Sequence, residues 1–312
     1  MPYRVGLLVG RERSFPEALI DEIRRRGDGV EAGYAEIDAT RIDRPPAYDV
    51  LVDRISHDVP CYQPVLKLAA LAGTRVVNNP FWRIADDKFF NTALAQRLGV
   101  AVPKTVLLPS KEYGPDVTSG SLRNLTYPID WRGIVEELGL PIFLKPHWGG
   151  GWRDVHRVTS LEDLLRRYDR TGKLTMIAQE AIEWTQYVRC IVVGREEVRP
   201  ALWDPRHGHF DRYSKAATSM PALSPELEER IVADARTLCR ALGYDMNTVE
   251  FAVRDGVPYA IDFMNSAPDF DITSLGEAHF RWVTERMADL CIRLAKEGPA
   301  APTLRWDAML SR

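Results

Sequence analysis

The segment richest in potential chemistry is Asn247–Pro268, NTVEFAVRDGVPYAIDFMNSAP. Two largely apolar runs flank Asp255-Gly256, a dipeptide suited to the tight turn of a β-hairpin. Folded back on itself, this hairpin brings Glu250 and Asp262 close together, each within an otherwise apolar strand. A buried carboxylate without a partner is costly. Two carboxylates joined by the Asn265 amide make an all-oxygen set suited to Mg²⁺, a hard cation that keeps phosphate oxygens in its shell. The alternative is a pair of strand-edge acids facing solvent. Asp262 and Asn265 stand three residues apart, so simple alternation sends them to opposite faces. For Asn265 to be a ligand, a bulge or the end of the strand must correct this. Otherwise Asp269 and Asp271 leave other ligand sets open.

Leu144–Trp152 reads LKPHWGGGW. Lys145 at the end of a buried strand, followed by Gly149, Gly150 and Gly151, can set an ammonium and free backbone N–H groups around phosphate oxygens. Glycine permits the close approach and unusual dihedrals of such a cradle. A hairpin turn with an incidental lysine is the other reading, and the GxxxxGK[ST] phosphate-loop pattern is absent. Asp86-Asp87-Lys88 opens a helix, where the acids suit its dipole and Lys88 offers a second cation. Ile177–Glu183, IAQEAIE, takes an apolar strand through Gln179 and Glu180 into a linker ending at Glu183. Backbone groups there can pair with an adenine edge, and Glu183 can accept from ribose hydroxyls. An ordinary strand–turn–strand with solvated acids is the alternative. The next strand, Tyr187–Val193, carries Arg189.

The elements that must position these residues alternate from the start of the chain. Strands are expected over Tyr3–Val9, Val30–Ile37, Asp49–Ile55 and Arg75–Pro80, the last ending in a turn, with helices over Phe15–Arg26 and Val65–Ala72. Short links between them imply a parallel, doubly wound sheet, with ligands beyond the strand ends at Gly10–Ser14, Ser56–Tyr62 and Asn78–Trp82. A helix over Ala85–Leu98 and a strand over Val100–Leu108 follow. Residues 109–133 are rich in Ser, Gly, Pro and Asn and are expected to form a long surface loop. A short helix over Ile134–Leu138 precedes the strand Ile142–Lys145, and Ser160 caps a helix that runs to Tyr168. From Thr175 onward strands dominate, at Met176–Gln179, Tyr187–Val193, Val198–Trp203, Val249–Val253 and Tyr259–Phe263. The helix Pro225–Leu242 interrupts them, and a last helix spans Ser274–Lys296.

The 312 residues, 45% of them hydrophobic, suffice for more than one domain. A formal charge of -3 offers no basic excess for nucleic acid or a membrane surface. No run approaches the roughly 18 apolar residues of a membrane span, and the N-terminus resembles a first strand more than a signal peptide. The 4 cysteines (Cys61, Cys190, Cys239, Cys291) have no CxxC spacing and read as reduced thiols of a cytoplasmic protein.

Taken in order, the four chemistry-bearing segments resemble the ATP-grasp superfamily, near the glutathione synthetase, D-alanine–D-alanine ligase and ribosomal-protein glutamate ligase types, from about Asn78 to Pro268. The resemblance implies an α/β plus α+β ATP-grasp fold with an N-terminal Rossmann-like pre-ATP-grasp domain. The expected segments are 1–84 for that domain, 85–180 for a small lobe with the lysines, and 181–312 for a large lobe with the hairpin. It implies ATP and Mg²⁺ as cofactors. Lys88 and Lys145 would hold the α- and β-phosphates, Gly149–Gly151 would close over the triphosphate, Glu180 and Ile182 would meet adenine, and Glu183 would bind ribose. Arg189 would stabilise the transferring phosphoryl group, and Glu250, Asp262 and Asn265 would hold the metal. The implied reaction joins a small-molecule carboxylate to an amine through an acyl phosphate, giving ADP and phosphate. Phosphoryl transfer to a hydroxyl and a non-catalytic nucleotide-binding module are the other readings. For the substrate, Arg11, Arg13, Ser14, His57 and Tyr62 are candidates in the first loops, with Arg206 and Lys215 as added positive charge; arginine suits bidentate carboxylate capture. Homodimers are common in the resembled family.

Overall fold

The computed structural model describes residues 2–81 and 87–300. The chain opens with β1 (Tyr3–Leu8), α1 (Ser14–Arg26), β2 (Val30–Tyr34), β3 (Val50–Asp53), α2 (Tyr62–Leu71) and β4 (Arg75–Val77). The strands form one parallel sheet in the order β2-β1-β3-β4. Val5, Leu7, Val50, Leu51 and Val52 are buried, as continuous apolar runs require when both sheet faces are covered. Gly27 ends α1 in the left-handed region and donates its N–H to the Arg24 carbonyl. The second helix starts at Tyr62, ahead of the expected Val65, because Pro64 falls in its first turn, where a missing N–H is harmless.

The middle of the chain gives α3 (Lys88–Arg97), β5 (Thr105–Leu108), α4 (Trp131–Leu138), β6 (Ile142–Pro146), β7 (His156–Val158), α5 (Leu161–Tyr168) and β8 (Met176–Glu180). Its strands form an antiparallel sheet in the order β5-β8-β6-β7. Trp82, Ala85 and Asp86, named in the expected third loop and helix start, lie outside the described residues. The helix itself begins at Lys88, capped by Asp87, whose carboxylate accepts from the Phe90 N–H at 3.0 Å. The strand expected from Val100 is confined to Thr105–Leu108; Pro103 has no N–H for a ladder. The expected 109–133 loop contains a 3-10 turn at Ser119–Leu122 and the first turn of α4, capped by Asp130. Ser160 caps α5 by accepting from the Asp163 N–H at 3.1 Å.

The rest comprises β9 (Gln186–Val193), β10 (Glu197–Leu202), α6 (Arg212–Ser219), α7 (Pro225–Leu242), β11 (Met246–Arg254), β12 (Val257–Asp262), α8 (Ile272–Leu275) and α9 (Glu277–Glu297). Its sheet is antiparallel in the order β10-β9-β11-β12. Two features differ from expectation. Helix α6 occupies a stretch with no expected element; only Tyr213 and Ala216 are buried in it, too few to show a helical period. The expected helix Ser274–Lys296 is broken at Gly276, whose φ of 73° ends α8 before α9 begins.

The chain divides into two compact units, one of Met1–Ala85 with Trp184–Arg312 and one of Asp86–Glu183. The segments expected as separate first and last domains thus share one unit. Within it α9 packs on α1, and Arg26 of α1 pairs with Asp289 and donates to the Glu285 carbonyl at 3.1 Å. The Asn78 side chain acts as a strand would, donating to the Met246 carbonyl at 2.8 Å and accepting from the Met246 N–H at 2.7 Å. Arg54, 6% exposed, forks onto Glu12 at 2.6 and 2.9 Å and donates to the Pro268 carbonyl at 2.7 Å. The rings of Phe15 and Phe270 lie 5.1 and 5.3 Å from its guanidinium. In the second unit, one sheet face packs Ile142, Leu144, Met176 and Ala178 against Leu138 and Leu164 of the helices. Among the described residues no helix is long and apolar enough to cross a membrane.

One group in this scaffold works against stability at neutral pH. In α7 an Asp234 oxygen is buried without a hydrogen-bond partner, 3.9 Å from Arg230. Burial pushes its carboxyl up to about 6 from an ordinary 3.8. The folded state therefore holds this proton more tightly than the unfolded state, and stability falls as pH rises from the ordinary value through about 6. Asp234→Asn is expected to stabilise the protein by about 2 kcal/mol at pH 8 in urea unfolding and to lose that advantage at pH 4. Parallel pH profiles for parent and variant would refute the assignment.

Candidate active site

The hairpin forms with Asp255 and Gly256 both at positive φ, 54° and 72°, the backbone that the dipeptide favours. Across the sheet, Arg189 of β9 stands directly opposite Glu250 of β11, and Glu250 directly opposite Asp262 of β12. Directly opposed residues share a face, so one cation and two carboxylates form a row across three adjacent strands. The ladder is irregular between Glu250 and Phe251, where Phe251 pairs with Ala260 and Glu250 with Asp262. Ile261 is thus the extra residue of a bulge. The strand ends at Asp262, and the Asn265 N–H is held by the Asn247 side chain at 2.9 Å. The Asn265 amide then reaches the Thr248 hydroxyl at 3.4 Å. Thr248 lies two residues before Glu250 and shares its face, so the bulge sets Asp262 opposite Glu250 and the end of the strand brings Asn265 to the same side.

Arg189 is 6% exposed. It donates to the Tyr213 hydroxyl at 3.3 Å and the Thr248 hydroxyl at 3.2 Å, and its Nε lies 3.4 Å from Glu250 Oε1. The Trp203 ring centroid is 5.4 Å away. Burial opposes its charge, yet Tyr213 and Glu250 hold it above the ordinary arginine value. The other Glu250 oxygen accepts from the Tyr187 hydroxyl at 2.9 Å. Burial pushes the Glu250 carboxyl up to about 7; Arg189 pulls it down, and Asp262 pushes it further up. Burial and Glu250 together push the Tyr187 phenol well up, so it remains a donor.

These residues fit a divalent cation. Glu250 is 15% exposed on its side chain and short of positive charge, while Asp262, exposed, stands opposite it. The donors are carboxylate and amide oxygens, the hard set that Mg²⁺ prefers. Among the described residues no group of three or more His, Cys, Asp and Glu residues is placed to hold a metal ion, so two carboxylates and an amide are the protein's whole donor set here. Such a donor set suits a metal that shares its shell with phosphate oxygens.

The unit Asp86–Glu183 gathers the two lysines' segments. The Lys88 N–H donates to the His147 carbonyl at 2.9 Å, and its ammonium donates to the Gly149 carbonyl. The start of α3 is thereby joined to the glycine loop. Gly149 and Gly151 have φ of 93° and 70°, and a Cβ at any of Gly149, Gly150 or Gly151 would meet nothing within 4 Å. The first and third are thus required by conformation and not by packing. Lys145, 9% exposed, pairs with Ile177 across β6 and β8, and Phe143 with Gln179. Alternation sets Lys145 and Gln179 on one face, opposite the Leu144 and Ala178 core. Gln179 donates to the Thr105 hydroxyl at 2.9 Å. In the linker, the Glu180 N–H goes to the Lys104 carbonyl at 2.9 Å and the Ala181 N–H to the Pro141 carbonyl at 3.2 Å. Ile182 is buried and Glu183 exposed.

The proposed substrate residues divide. Arg11 is exposed and lines a concavity with Val9, Gly10, Ile55, Asp58, Val59 and Tyr62. Arg13 is exposed at the start of α1. His57 lies 3.5 Å from Asp58. Ser14 is committed to the fold, donating to Asp271 at 2.8 Å and accepting from the Ile272 N–H at 3.3 Å. Arg206 forks onto buried Asp204 at 2.7 Å and lies 4.2 Å over the Trp184 ring. Lys215 pairs with Asp211 at 2.9 Å. Tyr187, Thr248, Tyr213 and Asn247 were not singled out in the sequence. Tyr187 and Thr248 each precede a chosen residue by two positions in a strand, a period that places them on its face. Tyr213 and Asn247 carried no such signal.

No family model matches the chain. The chain is similar to the D-alanine–D-alanine ligase of Ralstonia nicotianae, 25% identical over 264 residues, which covers 76% of this chain and 78% of that protein. It spans 13% and 57% of the length of two further curated relatives. The crystal structure of the D-alanine–D-alanine ligase from Bacillus anthracis complexed with ATP superposes with a TM-score of 0.63 at 16% identity, covering 96% of this chain and 100% of that one. The ATP-grasp ligase PsnB, complexed with a minimal precursor, Mg and ADP, gives a TM-score of 0.62 at 15% identity over 94% of this chain and 98% of that one. The chain has the ATP-grasp fold of these structures and is similar in sequence to D-alanine–D-alanine ligases.

Proposed function

We propose that the protein is an ATP-dependent carboxylate–amine ligase that forms an amide through an acyl phosphate and releases ADP and phosphate. The observation that carries this reading is the row Arg189, Glu250 and Asp262, in register on adjacent strands with the Asn265 amide on the same face. Glu250, Asp262 and Asn265 would hold Mg²⁺, which when bound neutralises phosphate charge. Lys88 and Lys145 take the phosphates of ATP as cations, and the backbone of Gly149–Gly151 offers N–H groups to the same oxygens. With the Glu180 and Ala181 N–H groups engaged internally, the linker meets adenine through Ile182, and Glu183 accepts from the ribose.

The chemistry runs in two displacements. An oxygen of the substrate carboxylate attacks the γ-phosphorus, and the bond to the ADP oxygen breaks. The amine nitrogen then attacks the acyl carbon, the carbon–oxygen bond breaks, inorganic phosphate leaves with the electron pair, and the nitrogen gives up a proton. Negative charge develops on the transferring oxygens in both steps. Arg189, already fixed by Thr248 and Tyr213, meets that charge without reorganising. Catalysis is then mainly positioning and neutralisation. Exposed Arg11, beside Tyr62, is a seat for a substrate carboxylate. The name of the D-alanine–D-alanine ligases points to amino acids as substrates.

Three measurements test this reading. At 100 times its dissociation constant, ATP with Mg²⁺ should stabilise the parent by about 2.7 kcal/mol, and Lys145→Ala should erase that gain; an undiminished gain would remove Lys145 from the site. Glu250→Gln and Asp262→Asn should each lower turnover by roughly 100-fold or more, and near-normal rates in both would end the metal assignment. Incubation with ATP and pools of amino acids should yield ADP, free phosphate and an amide product. Phosphate retained on the product would instead identify a kinase.

A further inference from the structure

Glu250 stands between two donors of different kinds. Its Oε2 accepts from the Tyr187 hydroxyl at 2.9 Å, and its Oε1 lies 3.4 Å from Arg189 Nε, which is buried and makes no hydrogen bond. The remaining Arg189 contacts go to the Tyr213 and Thr248 hydroxyls. A guanidinium and a carboxylate this close gain most by closing into a forked pair. The contact stays open although an unsatisfied Nε faces the carboxylate. The Tyr187 hydroxyl is the one donor recorded on the second carboxylate oxygen among the described residues. Its ring is 5% exposed and fixed between Trp184 and Trp203, with centroids 5.3 and 5.5 Å away. A phenol held on both sides cannot follow Glu250 if the carboxylate turns.

We propose that Tyr187 is the positioning residue of Glu250: its hydroxyl holds one carboxylate oxygen and keeps the group from closing onto Arg189, so that Glu250 stays set beside Asp262 for a divalent cation. This rests on the metal reading of the hairpin. Without the hydroxyl, Glu250 turns to satisfy Arg189 Nε and is lost to the cation, although both residues remain in place. Tyr187 touches neither nucleotide nor substrate in this scheme; it acts through Glu250. Partners that orient a metal ligand typically change metal affinity by about 10- to 100-fold.

Tyr187→Phe keeps the ring between the two tryptophans and removes only the hydroxyl. Binding of Mn²⁺, standing in for Mg²⁺, is followed by electron paramagnetic resonance with saturating ADP, beside ADP affinity measured in the absence of metal. The expected result is Mn²⁺ binding weakened by about tenfold or more in Tyr187→Phe with metal-free ADP affinity unchanged, and weakened further in Glu250→Gln. Unchanged Mn²⁺ binding in Tyr187→Phe, with Glu250→Gln weakened, overturns the proposal and leaves the metal site standing. Unchanged binding in both variants overturns the metal site and the proposal together. Equal losses of Mn²⁺ and metal-free ADP affinity in Tyr187→Phe would show a general structural role and also overturn it.

Discussion

Two carboxylates that face each other across neighbouring strands repel, and a sheet tolerates such a pair only where something else draws them together. Glu250 and Asp262 are in this position. Arg189 flanks Glu250 on the far strand but does not close on it, and the Glu250 carboxyl remains pushed up to about 7. Burial is the main cause, and Arg189 does not offset burial and the Asp262 charge together. Replacing one partner of a buried pair leaves the other unpaired, at a cost of several kcal/mol. The row is stable as a set and incomplete as a charge balance, which is what a site for a transient cation requires.

The rest of its unit holds that row in place from both ends. Met246, the first residue of β11, exchanges two hydrogen bonds with Asn78, just beyond β4. Pro268, beyond the hairpin, gives its carbonyl to Arg54, just beyond β3. The strand ends of the parallel sheet thus grip the segment before Glu250 and the segment after Asn265. Glu12 and the rings of Phe15 and Phe270 satisfy the buried Arg54 in turn. A parallel sheet presents its strand ends on one side, and here two of those ends serve as anchors for a hairpin that lies far on in the sequence.

Much of this was legible in the residues. The Asp255-Gly256 turn, the alternation around Glu250 and the parallel sheet follow from local pattern, and the structure has them. The spacing of Asp262 and Asn265 signalled that alternation had to fail between them, and it fails because the strand ends at Asp262. What local pattern does not carry is partnership across distance. Nothing near Asn78 announces Met246, and nothing near Arg54 announces Pro268, because each bond joins residues far apart in the chain. Helix α6 was missed because its buried face is Tyr213 and Ala216 alone, and the break at Gly276 because the apolar period runs on through it.

The two sets of cations also differ in how they are prepared. Arg189 is held by hydroxyls on a sheet, and in the proposed reaction it would meet developing charge with nothing to rearrange. Lys88 instead donates to a neutral carbonyl, that of Gly149 in the loop itself. A hydrogen bond from an ammonium to an anionic phosphate oxygen is stronger than one to a carbonyl, so exchange of one acceptor for the other is favourable, and it frees the Gly149 carbonyl as it occurs. The positive φ at Gly149 and Gly151, with open space where a Cβ would stand, leaves that backbone able to answer the exchange. Rigid charge suits the reacting centre, where each step is brief. Exchangeable charge would suit the phosphates of the proposed reaction, which enter and leave in every cycle.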